Sequence, residues 1–148
     1  MKKIISAGLV IVSLFALAGC GAKDINTNEL ASKLANEGKF AEKLSQVSEK
    51  MTEKRYAISE EDVEECVSYA GTNAVVDEVA VFKAKNADNV KSKVEDRINA
   101  QKESYKSYNP DELPKLDDCV IVTEGDYVIL CVSEDSSSAK NIINEYTK

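Results

Sequence analysis

The side chains with most chemical reach in this chain are its cysteines and carboxylates. Four cysteines and no histidine occur among 148 residues. Without an imidazole, Cys–His and Ser–His nucleophilic mechanisms are excluded, and histidine-dependent zinc sites go with them. C-x-x-C is also missing, so no metal or cofactor is expected. Cys119 and Cys131 each stand six residues from Gly125 in "CVIVTEGDYVILC". An odd-length loop there sets them opposite one another across a hairpin, with Cα atoms ~4.5 Å apart and within reach of a disulfide. A two-residue loop shifts the register by one and separates them. The competing reading is a set of buried thiols acting as small hydrophobes, Cys66 included. Both readings stand at this point.

Acidic pairs recur at Glu60-Glu61-Asp62, Glu64-Glu65, Asp77-Glu78 and Asp117-Asp118. Two carboxylates across a cleft can cleave a glycosidic bond if burial raises one pKa. With 26 acids in the chain, adjacency arises from composition alone, and a solvated surface is the expectation. The alternating D-x-D-x-D-G of a calcium loop is missing. Tyr105 and Tyr108, with Arg97 and Gln101 one turn apart on the same helical face, form a candidate binding rim next to "NPDELP". Tyrosine suits such a rim because it joins an apolar body to a polar tip. The alternatives are helix-to-sheet packing for the tyrosines and pairing with neighbouring acids for Arg97 and Gln101.

Cys20 has a different setting from the other three. Lys2 and Lys3 precede a run from Ile4 to Leu17 that is apolar apart from Ser6, Gly8 and Ser13. That is ~14 residues, about 21 Å as a helix, short of a ~30 Å bilayer core. Charge, grease and small residues in that order are the layout of a secretory signal. Leu17-Ala18-Gly19-Cys20 resembles the bacterial lipobox, in which the cysteine becomes a thioether to diacylglycerol and signal peptidase II cuts before it. The resemblance implies a signal peptide over 1–19 and lipidation of Cys20. It also implies a protein held by its lipid on the extracytoplasmic face of the cell membrane. Two acyl chains make such anchoring stable where one is reversible. Loss of the two lysines takes the formal charge from −7 to −9, which argues against nucleic acid as a partner.

These residues need a scaffold, and the periodicities outline one. Residues 20–28 read as the lipidated cysteine and a polar tether, and 29–148 as a single domain. Thr27 or Asn28 caps a first helix that carries Leu30 and Leu34 and stops near Gly38. Phe40, Leu44, Val47 and Met51 read as a second amphipathic helix. "SEED" (59–62) predicts a capped single turn before the first strand. "ECVSYA" and "VDEVAVFKA" read as paired strands, with Val79 and Val81 on one face and Ala80, Phe82 and Ala84 on the other. Val90, Val94, Ile98, Gln101, Tyr105 and Tyr108 mark a long helix capped by Asn86 or Asp88 and ended by Asn109-Pro110. A hairpin over 119–133 follows. A last helix, capped from 136–138, carries Ala139, Ile142, Ile143 and Tyr146. The order α-α-β-β-α-β-β-α predicts an α+β fold, an antiparallel sheet of about four strands in two hairpins with helices packed on it.

"YAISEEDVEE", "DEVAVFKAKN", "VEDRINAQKESYKSYNPDELPKL" and "GDYVILCVSED" resemble a family of small bacterial lipoproteins described as domain of unknown function 4358. The similarity runs from Tyr56 to the C-terminal helix. It implies a lipid-anchored secreted protein of Gram-positive, largely anaerobic bacteria, and it implies no reaction. Cysteines at 66, 119 and 131 replace the small or apolar residues the family pattern leads one to expect. The function expected is therefore a non-enzymatic binding or accessory module of the cell envelope. It would act through an exposed sheet edge or the tyrosine rim on an envelope protein. The alternatives are a small-molecule binder serving a transporter and a carboxylate-dependent hydrolase of wall polymer.

Overall fold

The computed structural model describes residues 23–148. Eleven elements follow in order: α1 (Thr27–Glu37), β1 (Ser45–Val47), α2 (Glu49–Tyr56), β2 (Val63–Ala70), β3 (Glu78–Ala84), α3 (Ala87–Tyr108), a 3₁₀ turn (Pro110–Glu112), α4 (Leu113–Asp117), β4 (Val120–Glu124), β5 (Tyr127–Val132) and α5 (Ser136–Thr147). The strands form one antiparallel sheet in the order β1-β2-β3-β5-β4. The fold is α+β, with five strands rather than four.

Helices cover both faces of the sheet. On one face α2, α3 and α4 send Tyr56, Val90, Val94, Ile98 and Leu116 against Cys66, Ala80, Phe82, Val128 and Leu130. On the other, α1 and α5 send Leu30, Leu34, Ile142 and Ile143 against Val67, Val79, Val81, Ile129 and Cys131. Covering on both sides explains why β3 and β5 are apolar at nearly every position, since side chains alternate between two dry faces. Val79 and Val81 do part from Ala80, Phe82 and Ala84 as the period of two predicts.

The fifth strand lies where a helix was expected. Ser48 accepts a hydrogen bond from the Met51 amide at 3.4 Å and opens α2 there. The preceding Ser45–Val47 pairs with Ser68–Ala70. Phe40, Leu44, Val47 and Met51 therefore share no helical face; Leu44 is buried and Met51 is 45% exposed. Local competition at the helix start decided this, because a serine at an N-cap satisfies amides that a continuous helix would satisfy itself. Asn26 and Asp135, rather than their neighbours, cap α1 and α5. Asn86 caps α3 as expected. The stretch read as tether docks from Asp24 onward: Ile25 is buried, and Tyr127 donates to Asp24 at 2.7 Å.

The hairpin of β4 and β5 closes through two residues, Gly125 and Asp126, between the paired Glu124 and Tyr127. Gly125 has φ 55°, the left-handed value that the first central position of a II′ turn requires.

Candidate functional site

The loop joining β2 to β3 brings the predicted rim residues together. Side chains from four directions hold its backbone. Tyr105 donates to the carbonyls of Asn73 and Val75 at 2.8 and 3.1 Å. Asn109 donates to Ala74 O at 3.3 Å. Val76 N donates to Glu112 at 2.9 Å, and Thr72 N donates to Glu42. A loop with so many partners is ordered by side chains where sheet hydrogen bonds end.

Beneath it lies a cavity of about 50 Å³, lined among others by Arg97, Gln101, Tyr105 and Glu78. The carboxylate of Glu78, only 2% exposed, accepts from Arg97 Nε at 3.1 Å, from Nη2 at 2.9 Å, and from the hydroxyl of Tyr56. The guanidinium also sits over the Tyr56 ring, 5.1 Å from its centroid. This is a bidentate pair with a third donor, the geometry that compensates buried charge. Burial, then the Glu78 charge, pushes the Tyr56 hydroxyl well above its ordinary value. Burial works against the charge on Arg97, but Glu78 outweighs it and the pKa rises. Beside this cluster Asp77, 2% exposed, accepts from Lys115 at 2.9 Å and from Ala41 N at 2.6 Å. Lys115 also reaches Glu112 at 3.1 Å. Burial disfavours that ammonium, yet Asp77 and Glu112 raise its pKa.

Three of the four expected rim residues thus share one small polar cavity. Tyr108 does not: it is 64% exposed and meets only the edge of the Tyr105 ring, centroids 5.6 Å apart. Arg97 is taken by Glu78 and presents no free fork to an incoming carboxylate. Gln101 carries a buried Oε1 without a hydrogen-bond partner. The acidic pair Asp77-Glu78, expected at a solvated surface, is instead buried, each residue 2% exposed, and no spacing in the chain joins Tyr56, Lys115 and Glu112 to it. The signal for Glu78 was a charged pair opening an otherwise apolar strand.

The Cys119–Cys131 bridge is corrected. The two-residue loop pairs Val120, not Cys119, with Cys131. Cys119 then packs toward the α3 face and Cys131 toward the α1 and α5 face, and all three described cysteines are free thiols. Cys20 and residues 1–19, expected to be a signal peptide, lie outside the described residues. Among the described residues, no cluster of three or more His, Cys, Asp or Glu is placed to hold a metal ion, and no helix is long and apolar enough to cross a membrane.

A model of the family described as domain of unknown function (DUF4358) matches residues 36–133, about two thirds of the chain. The match covers β1 through β5 and all of the loop cluster. No curated protein matches the chain, and no solved structure does.

Proposed function

From the premise that the chain belongs to the DUF4358 family, we propose that it is a lipid-anchored binding module of the cell envelope, without catalytic activity. It is held at the extracytoplasmic face of the membrane through Cys20. The observation that carries this reading is the run from Lys2 to Cys20, a charged start, a short apolar stretch and Leu-Ala-Gly-Cys. The domain's chemistry supports binding over reaction. Its most buried carboxylates, Glu78 and Asp77, have their oxygens taken by Tyr56, Arg97, Lys115 and a backbone amide. General acid–base work needs a carboxyl free to reach substrate. The cavity beneath the loop, about 50 Å³, falls far below the roughly 300–1,000 Å³ of ordinary small-molecule sites. A protein partner on the surface fits better than an enclosed ligand.

The test is phase partitioning in a detergent that clouds on warming. The wild-type chain expressed in a bacterium enters the detergent phase with the mass of a diacylated Cys20 start. Cys20→Ala stays in the aqueous phase or keeps its signal. A wild-type chain that stays aqueous, or one whose mass lacks the diacylglyceryl addition at Cys20, overturns the anchor.

A further inference from the structure

Among the described residues, no strand pairs with the outer side of β4, the last strand of the sheet, which pairs only with β5. Because Glu124 and Tyr127 close a two-residue turn, they form a hydrogen-bonded pair, and so do the pairs two and four positions back. Val120 and Val122 therefore turn their amides and carbonyls toward β5. Ile121 and Thr123 turn theirs outward, where no strand meets them.

Sheet edges are ordinarily guarded by proline, an inward-pointing lysine, a bulge or extreme shortness. At the opposite edge β1 has only three residues. β4 has five, "VIVTE", with no proline, no lysine and an unbroken register. Its β-branched run is what an incoming strand pairs with readily.

Alongside this edge, between α3 and β4, runs an open groove of about 280 Å³. Ile98, Leu116, Cys119 and Ile121 make its floor, and Glu95 and Asp117 stand on its walls. Both wall acids are already paired, Asp117 with Lys102 at 2.9 Å and Glu95 with Lys91 at 3.5 Å. Asp118 and Glu124 bracket the strand and make no ion pair among the described residues. These two carboxylates, of which Asp118 also accepts from Ser136 at 2.7 Å, flank the edge outside the groove, on a chain whose formal charge is −7. A second copy pairing edge to edge would set these carboxylates against each other, which like charges disfavour. Charge complementarity selects a basic occupant.

We propose that β4 is a strand-addition site for an extended, basic segment of an envelope protein. The segment's backbone pairs with Ile121 and Thr123, an apolar side chain enters the groove over Ile98 and Leu116, and its lysines or arginines meet Asp118 and Glu124. Main-chain pairing gives such sites affinity, and pockets for alternate side chains give selectivity. The inference rests on the reading of the protein as a binding module and names the surface and the chemistry of its partner.

The probe is a capped, fluorescein-labelled peptide of alternating lysine and valine, about seven residues long. It is titrated by anisotropy against the full chain in detergent micelles. Binding is expected, weakening as salt rises, and absent for the same peptide with glutamate in place of lysine. Thr123→Pro removes an outward N–H that the β4–β5 ladder does not use, and weakens binding about tenfold. Thr123→Ala binds as wild type does. Should the proline variant misfold, the peptide N-methylated at alternate residues blocks the same hydrogen bonds on intact protein and must lose affinity. Failure of the lysine peptide to bind, or undiminished binding by Thr123→Pro and the N-methylated peptide, overturns the site. Partitioning through Cys20, measured on the same preparation, tells that failure apart from failure of the anchored-module reading.

Discussion

At the scale of single residues, the Glu78–Arg97–Tyr56 cluster is a buried ion pair with a third donor. Glu78 is 2% exposed at the head of β3, and Arg97 reaches it from the middle of α3. A buried carboxylate that loses its cation keeps its desolvation cost and loses the attraction that offset it. Arg97→Met is therefore expected to destabilise by about 3–5 kcal/mol. Tyr56→Phe, which removes one donor to a charged acceptor, costs about 1.5–3 kcal/mol. Pairing Arg97→Met with Glu78→Gln removes the stranded charge, so the double variant is more stable than the summed single effects predict. Urea unfolding of the four proteins measures the cycle. Additive losses would mean that the pair contributes no coupling.

At the scale of elements, helix ends govern where the chain turns. α2 ends at Ala57 with φ 51°, the one described non-glycine residue in the left-handed region. Ile58 N donates to Glu53 O at 3.0 Å, the six-to-one bond of a Schellman motif, and the side chain of Ile58 is buried beyond it. An L-residue in that conformation carries about 1–2 kcal/mol of strain. Ala57→Gly relieves it, less the extra backbone entropy of glycine, and is expected to stabilise by about 0.5–1 kcal/mol in the same urea assay. A loss of stability would mean that the motif does not limit α2. The same competition at helix ends explains what was legible beforehand. α3 was readable because six residues at steps of three and four sit between an asparagine cap and Asn-Pro. β3 was readable because it is a short, β-branched and aromatic run bounded by turn residues. β1 was not: three exposed or half-buried residues carry no pattern, and only pairing with Ser68–Ala70 makes them a strand. In the candidate site Arg97, Gln101 and Tyr105 shared a visible helical face. Glu78 and Tyr56, twenty-two residues apart, meet only because β2 folds back on β3. The edge of β4 was invisible too, since which strand lies outermost is a property of topology.

At the scale of the whole molecule, the two-faced sheet turns three thiols into reporters of three environments. Cys131 lies in β5 under α1 and α5 and is 1% exposed; Cys66 lies in β2 on the opposite face and is 6% exposed. Burial pushes the Cys131 thiol up to about 12 and that of Cys66 up to about 11. Cys119, half-buried on the groove beside β4, is also raised by burial. A raised pKa lowers the thiolate fraction at neutral pH, and the thiolate is the species that reacts. All three should therefore react slowly with iodoacetamide near pH 8, and Cys119 should react first because it alone is reached without opening the core. Raising the pH speeds Cys119 directly. Cys131 must wait for an opening that parts β5 from α1 and α5, so below its own pKa its rate follows unfolding. Peptide mapping at increasing urea checks this. Below the unfolding transition the Cys131 rate should climb with the slope of global unfolding and the Cys119 rate should change little, while intact mass stays the same before and after reductant. Labelling of Cys131 as fast as Cys119 without denaturant would mean that the sheet is open on the α1 and α5 side. A two-dalton gain on reduction would restore the bridge that the register of β4 against β5 rules out.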